Sequence, residues 1–252
     1  MGLSSNTILH QTSKESLKYF INQKAFPLSY STEFLKSTSP LKPEIVFPMI
    51  SFSDIPLSEL HQHLRRYDDY TIGMSKEWAK RKKLNPVLYF EEKSVFTREI
   101  VEKFDFIMQK HFFDKNNEEN KNDFFFFMRI LAYAKNYEGE LHTKKVNYNN
   151  YRFSDEREWR YVPEVAEIGE NLFYQTVTEY NKNKENYKKL ISNYKLPFTL
   201  SDINYIIVNK KEEIDEFYEL LMNVFSNDIS NNKQNRIPVN FFINDQIISD
   251  FL

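Results

Sequence analysis

The sequence contains no cysteine and only four glycines among its 252 residues. The first absence removes disulfides, thiolate nucleophiles and thiolate zinc sites, and it suits a reducing compartment. The second leaves little with which to build a phosphate-binding loop, and neither G-x-G-x-x-G nor a Walker-type G-K-[ST] occurs. A G-x-S-x-G nucleophile elbow is missing as well, which leaves acyl-transfer hydrolysis poorly served. No charge of one sign prevails: the formal net charge is -2 and the pI about 6.3, so there is no global basic field for nucleic acid or anionic lipid. No apolar run approaches the ~20 residues that a membrane-spanning helix needs. The densest apolar cluster, Phe124 to Met128, is far shorter, and the start Met1-Gly2-Leu3-Ser4 has no secretory pattern. A cytoplasmic protein without a membrane segment is expected.

What the chain has in quantity is aromatic side chains, 23 Phe and 16 Tyr, enough to fill a large core. Residues 7–11 read as a strand, and Thr12-x-x-Glu15 has the capping-box spacing that opens a helix with Leu17, Phe20 and Ile21 on one face. Pro27 stops that helix, and 27–44 read as an irregular arm. Residues 45–52 form a strand that Pro48 marks as an edge or a bulge. A polar helix carrying His61, His63, Arg65 and Arg66 follows, then a strand at 70–74, a short helix capped by Ser75, a turn at Asn85-Pro86 and a strand at 87–90. Helices are predicted over 94–113 and 124–137, separated by a polar loop and stopped at Gly139. They read as an antiparallel pair inserted at about 94–139 into a β-rich body. A strand over 151–162, helices over 183–194 and 212–225, and strands at 203–208 and 239–242 complete an α+β order with no repeat and no long linker. Residues 1–252 are read as one domain.

The densest chemistry lies in Asp155-Glu156-Arg157-Glu158-Trp159-Arg160-Tyr161. Period-2 alternation puts Glu156, Glu158 and Arg160 on one face of a strand, with the two carboxylates about 7 Å apart at Cα. Such a pair can bind a ribose diol, orient a nucleophile or stabilise an oxocarbenium cation; it is equally the pattern of an ion-paired strand. His10, between a strand and a helix start, can donate to a sugar hydroxyl or an amide oxygen, or simply bond a backbone carbonyl. Tyr67, Tyr70 and Trp78 can stack on a base or ring, or pack the core. His61 and His63 diverge on a helix and lack a third ligand, so no metal is expected. His63, Arg65 and Arg66 can meet an anion or line a solvated helix face.

Four collinear stretches then resemble the AbiGi family, named for an antitoxin component of abortive-infection phage resistance. They are Phe47 to Ser58, Tyr67 to Trp78, Asn85 to Tyr89 and Asp155 to Pro163, within a likeness running from His10 to about Val208. The chain departs from the family at Gln11-Thr12, where an aromatic would precede the Thr, and at Asp68-Asp69-Tyr70, where members are richer in glycine. That family looks distantly like the ADP-ribosyltransferase fold, a split mixed or antiparallel sheet that clamps NAD. The resemblance implies His10 on the ribose or nicotinamide side, Tyr70 to Ser75 as the middle element, and Glu158 on the oxocarbenium-like transition state. Glu156 would complete an E-x-E, and Arg160 would join the cofactor contacts. Two readings follow: a phage-defence ADP-ribosyltransferase acting on a protein or nucleic-acid acceptor, or a non-catalytic antitoxin that neutralises a partner toxin.

Overall fold

The computed structural model describes residues 5–64, 69–143, 145–230 and 237–250. Its centre is a mixed sheet of nine strands. The main path runs Asn240–Ile243, Ile203–Val208, Tyr70–Ser75, Thr7–Thr12, Glu44–Ser53, Glu158–Tyr161 and Asn85–Pro86, and Ser29–Phe34 and Gln175–Thr176 also pair with Glu44–Ser53. Among the described residues the pairing in this sheet is antiparallel except between Ile203–Val208 and Asn240–Ile243. The class is α+β, as the order of elements predicts.

Alternation along the strands gives the sheet two apolar faces. Ile8, Ile72, Met74, Ile206 and Val208 turn towards Leu17, Phe20, Trp78, Phe217 and Leu221, supplied by helices Lys14–Gln23, Lys76–Arg81 and Glu213–Val224. Leu9, Tyr205 and Ile207 turn the other way, towards Leu60 of helix Leu57–Leu64 and Ile247 of helix Asn244–Asp250. Gly73 is required here. A Cβ on it would stand 2.6 Å from the Tyr205 ring and 2.9 Å from Thr7 Cγ2, closer than carbon atoms approach without displacement.

Several local expectations are corrected. The helix cap is Ser13, whose side chain accepts from Ser16 N at 3.2 Å, one residue after the predicted Thr12. The arm at 27–44 contains strand Ser29–Phe34, whose mostly polar residues show no apolar alternation. Pro48 sits inside the most heavily paired strand, because at 47–49 only Ser29–Phe34 pairs with it: the ladders of Gln175–Thr176 and Glu158–Tyr161 cover 45–46 and 50–53. The proline is thus accommodated where the ladder is one-sided.

The inserted helices are Val95–Phe113 and Glu118–Ala132. The second starts within the predicted polar loop, since Asn117 caps it by accepting from Asn120 N at 3.1 Å. It also stops earlier than expected. Ala134–Asn136 leaves it as a strand parallel to Leu88–Phe90, and Gly139 lies in strand Glu138–His142 instead of closing a helix. The strand predicted over 151–162 is interrupted by a 3-10 turn at Phe153–Glu156 and by Arg157, whose φ of 45° is left-handed. Helix Ser226–Ser230 follows directly on helix Glu213–Val224. Among the described residues no helix is long and apolar enough to cross a membrane.

Candidate functional site

Two cationic and three acidic side chains meet at strand Glu158–Tyr161, beneath the end of the helix pair. Glu158 and Arg160 alternate inward with Trp159 and Tyr161 less buried, so the period-2 reading holds for that half of the stretch. Glu156 arrives differently. The 3-10 turn and left-handed Arg157 bring it to the same cluster, and Asp54 N donates to both the Glu156 and Arg157 carbonyls, at 3.2 and 3.3 Å, fixing the turn to the sheet. A non-glycine residue in that conformation costs about 1 kcal/mol, a strain stored beside the cluster.

Arg160 is 1% exposed, and each of its three guanidinium nitrogens donates. Its Nε donates to Glu158 Oε1 at 2.6 Å, Nη1 to the Ala132 carbonyl at 2.7 Å, and Nη2 to Glu33 Oε2 at 2.9 Å and Glu158 Oε2 at 3.2 Å. Lys135 Nζ donates to Glu158 Oε2 at 2.8 Å and Glu156 Oε2 at 3.2 Å, while lying 4.7 Å over the Phe153 ring. Glu158 N donates to Tyr89 Oη at 2.9 Å. Both oxygens of Glu158 are therefore held by cations.

The electrostatics follow from this geometry. Burial would raise the Glu158 carboxyl, but Lys135 and Arg160 outweigh it and hold that carboxyl well below the usual range. Burial would likewise release the Lys135 proton, yet Glu158 and Glu156 keep the ammonium charged. Glu33, at the far end, is pushed up by burial against the pull of Arg160. The Tyr89 hydroxyl is pushed up to about 12, chiefly by burial. The cluster is a buried ion network with a permanently ionised carboxylate at its middle.

The other predicted site residues do not join it. Leu9, Ser53 and Glu158 form one cross-strand row, and Phe52 and Trp159 belong to the adjacent row. His10 packs against Phe52 at 5.4 Å, so His10 and Glu158 face opposite sides of the sheet. His10 also contacts Phe20 and Phe26 and pairs through Nδ1 with the Ser51 carbonyl at 2.8 Å. Tyr70 donates to Glu213 at 2.7 Å. Ser75 caps a helix by accepting from Trp78 N, and Trp78 is fully buried, donating to the Pro197 carbonyl. The structure thus unites Glu156, Glu158 and Arg160 and leaves His10, Tyr70 and Ser75 elsewhere. His61 and His63 lie on helix Leu57–Leu64, but their side chains, together with Arg65, Arg66 and Tyr67, are outside the described residues. Among the described residues no group of three or more His, Asp or Glu side chains is placed to hold a metal ion.

Sequence reasoning missed Lys135, Glu33 and Tyr89. Lys135 lay in a segment read as helix and Glu33 in one read as irregular, and each reaches the cluster only through strand pairing. The second missed feature is on the surface. Half of the large apolar side chains that stand exposed among the described residues belong to the helix pair: Val95, Phe96, Phe106, Phe112, Phe113 and Phe126, with Phe113 95% exposed.

Comparison with known proteins agrees with the motifs. Residues 12–209 match the family described as "Putative abortive phage resistance protein AbiGi, antitoxin". The chain is 29% identical over 192 residues to "Abortive phage resistance protein AbiGi" of Lactococcus lactis subsp. cremoris, an alignment covering 69% of this chain and 76% of that protein. No solved structure matches it significantly. With its four motifs in order and most of its length matched, the chain belongs to the AbiGi family of abortive phage resistance proteins.

Proposed function

We propose that the chain acts in phage defence as an antitoxin-type binding protein, holding a partner protein against the exposed phenylalanines of its helix pair. The observation that carries this reading is the concentration of exposed phenylalanines on Val95–Phe113 and Glu118–Ala132. Exposed aromatics gathered on one substructure mark interaction surfaces, where rings supply large contact areas at small entropic cost. The antitoxin description of the family points the same way.

The NAD-dependent reading is less well supported by the geometry. To stabilise a ribosyl cation, Glu158 would have to give up Arg160 and Lys135, and His10 would have to act from the opposite face of the sheet.

The test combines two measurements. The chain expressed alone should be harmless and should rescue cells from the toxic partner of its defence module, and Phe106→Ser with Phe113→Ser should abolish that rescue. Incubation with NAD and cell extract, at a temperature where both proteins are folded, should release no nicotinamide from wild type or Glu158→Gln. Nicotinamide release that Glu158→Gln abolishes would overturn the binding-only reading in favour of ADP-ribose transfer to an acceptor.

A further inference from the structure

A groove runs beside helix Glu118–Ala132 that plays no part in the charged cluster. Two clefts, of about 830 and 650 Å³, adjoin at Phe125, Glu170 and Asn171, which line both. Phe126 lines the first, and Phe112, Tyr174, Tyr187 and Leu190 line the second. Each is of the few hundred to ~1,000 Å³ typical of a ligand pocket, and the two side by side give the groove room for several residues of an extended segment. Gly169, at φ 81°, lies on its wall, and no atom stands within 4 Å of where a Cβ would be, so that wall is open.

The two walls carry opposite charges. Lys121 and Arg129 project from the helix, and the facing segment supplies Glu164 and Glu170, with Glu179 beyond. The pairs Lys121–Glu170 and Arg129–Glu164 span the groove at 2.7 Å each and are substantially solvent-exposed, so they are weak and exchangeable. Three carboxylates against two cations leave the lining acidic, which opposes a nucleic-acid strand and favours a cationic occupant. Deep in the second cleft His111, nine-tenths buried and stacked on Phe124 at 4.3 Å, has no protein partner for Nδ1 among the described residues. Burial favours its neutral form, which adds no positive charge to the groove.

We infer that this groove docks a segment of the partner protein bearing aliphatic or aromatic side chains flanked by lysine or arginine. The side chains enter between Phe125, Tyr187 and Leu190, and a flanking cation joins the acidic surplus at Glu170 and Glu179. This inference rests on the partner-binding reading above and adds the place and the chemistry of the bound segment.

The test uses the full chain and three fluorescein-labelled probes: an amphipathic leucine–lysine peptide, its leucine–glutamate counterpart, and an oligothymidine strand. Anisotropy should show binding of the lysine peptide, weakened about tenfold or more by Glu170→Lys and by Leu190→Asp, both surface positions, at unchanged melting temperature. Equal binding of the glutamate peptide, preferential binding of oligothymidine, no binding of the lysine peptide, or indifference to both variants overturns the assignment. So does self-association of the chain by sedimentation that Leu190→Asp abolishes. If the two variants still rescue cells while Phe106→Ser with Phe113→Ser does not, the binding function stands and the groove is not its site.

Discussion

Replacing Glu158 by glutamine tests the central physical claim, that this carboxylate is an electrostatic strut. The substitution keeps shape and volume but removes the charge that Arg160 and Lys135 share. Arg160, 1% exposed, is then left with Glu33 alone, and burial already favours the neutral form of that carboxyl. Breaking a buried pair by removing one partner costs about 3–5 kcal/mol, because the remaining charge stays desolvated. For a chain of this size each kcal/mol moves the melting temperature by about 2–4 °C, so a fall of roughly 6–20 °C is expected. Urea unfolding followed by circular dichroism gives the free energy, and a thermal melt gives the temperature. A double replacement, Glu158→Met with Arg160→Met, removes both buried charges and should recover most of the loss. A loss under about 1 kcal/mol for Glu158→Gln would mean that water reaches Arg160 freely and that Glu158 is no electrostatic strut.

Gly73→Ala should cost about 1–3 kcal/mol through the clash with Tyr205 and Thr7, and Tyr205→Ala in the same chain should recover part of it, read from paired urea midpoints. His10→Ala should lose about 1–3 kcal/mol by stranding the Ser51 carbonyl and opening space between Phe20, Phe26 and Phe52, with no change in any NAD-dependent turnover. On the acid side, burial would raise Glu213, but hydrogen bonds from Lys14 and Tyr70 hold it at about 2. Its contribution is therefore complete above the unfolded carboxylate value of about 4.3 and is lost as pH falls towards 2, so Glu213→Gln should flatten the acid limb of stability in that window. Phe113→Ser should leave unfolding free energy within about 0.5 kcal/mol of wild type, because the ring is almost wholly in solvent.

Elements whose local signals agree with one another were legible. The strand at 203–208, the amphipathic helix at 212–225 and the Ser75 cap each combine periodicity, propensity and punctuation, and each appears where predicted. Strand Ser29–Phe34 was not legible, since Ser-Tyr-Ser-Thr-Glu-Phe has no apolar alternation and is ordered by six paired residues of the following strand, Glu44–Ser53. The helix that starts at Glu118 was read too late because its first turn is polar and faces solvent over most of its length, leaving only Asn117 as a signal. Gly139 misled for the opposite reason. Glycine is a common helix stop, but the chain had already left the helix at Tyr133, drawn into parallel pairing with Leu88–Phe90.

The candidate site shows the same division more sharply. The alternation of Glu158 and Arg160 is local and survived; the meaning of their charges is tertiary and could not be read from spacing. Two carboxylates near one arginine look catalytic or superficial in a sequence, depending on what else approaches them. Here a lysine from the end of the helix pair and a glutamate from an unrecognised strand close the cluster from either side. That closure has a structural consequence. Arg160 Nη1 holds the Ala132 carbonyl at the helix end, while Lys135, three residues on, holds Glu156 and Glu158. The network therefore bolts the helix pair to the sheet through charge-assisted bonds, which are directional where apolar packing is not. Exposed phenylalanines have every tendency to collapse onto their own protein. Anchoring the base of those helices through this network keeps their exposed phenylalanines outward, as the proposed partner-binding role requires.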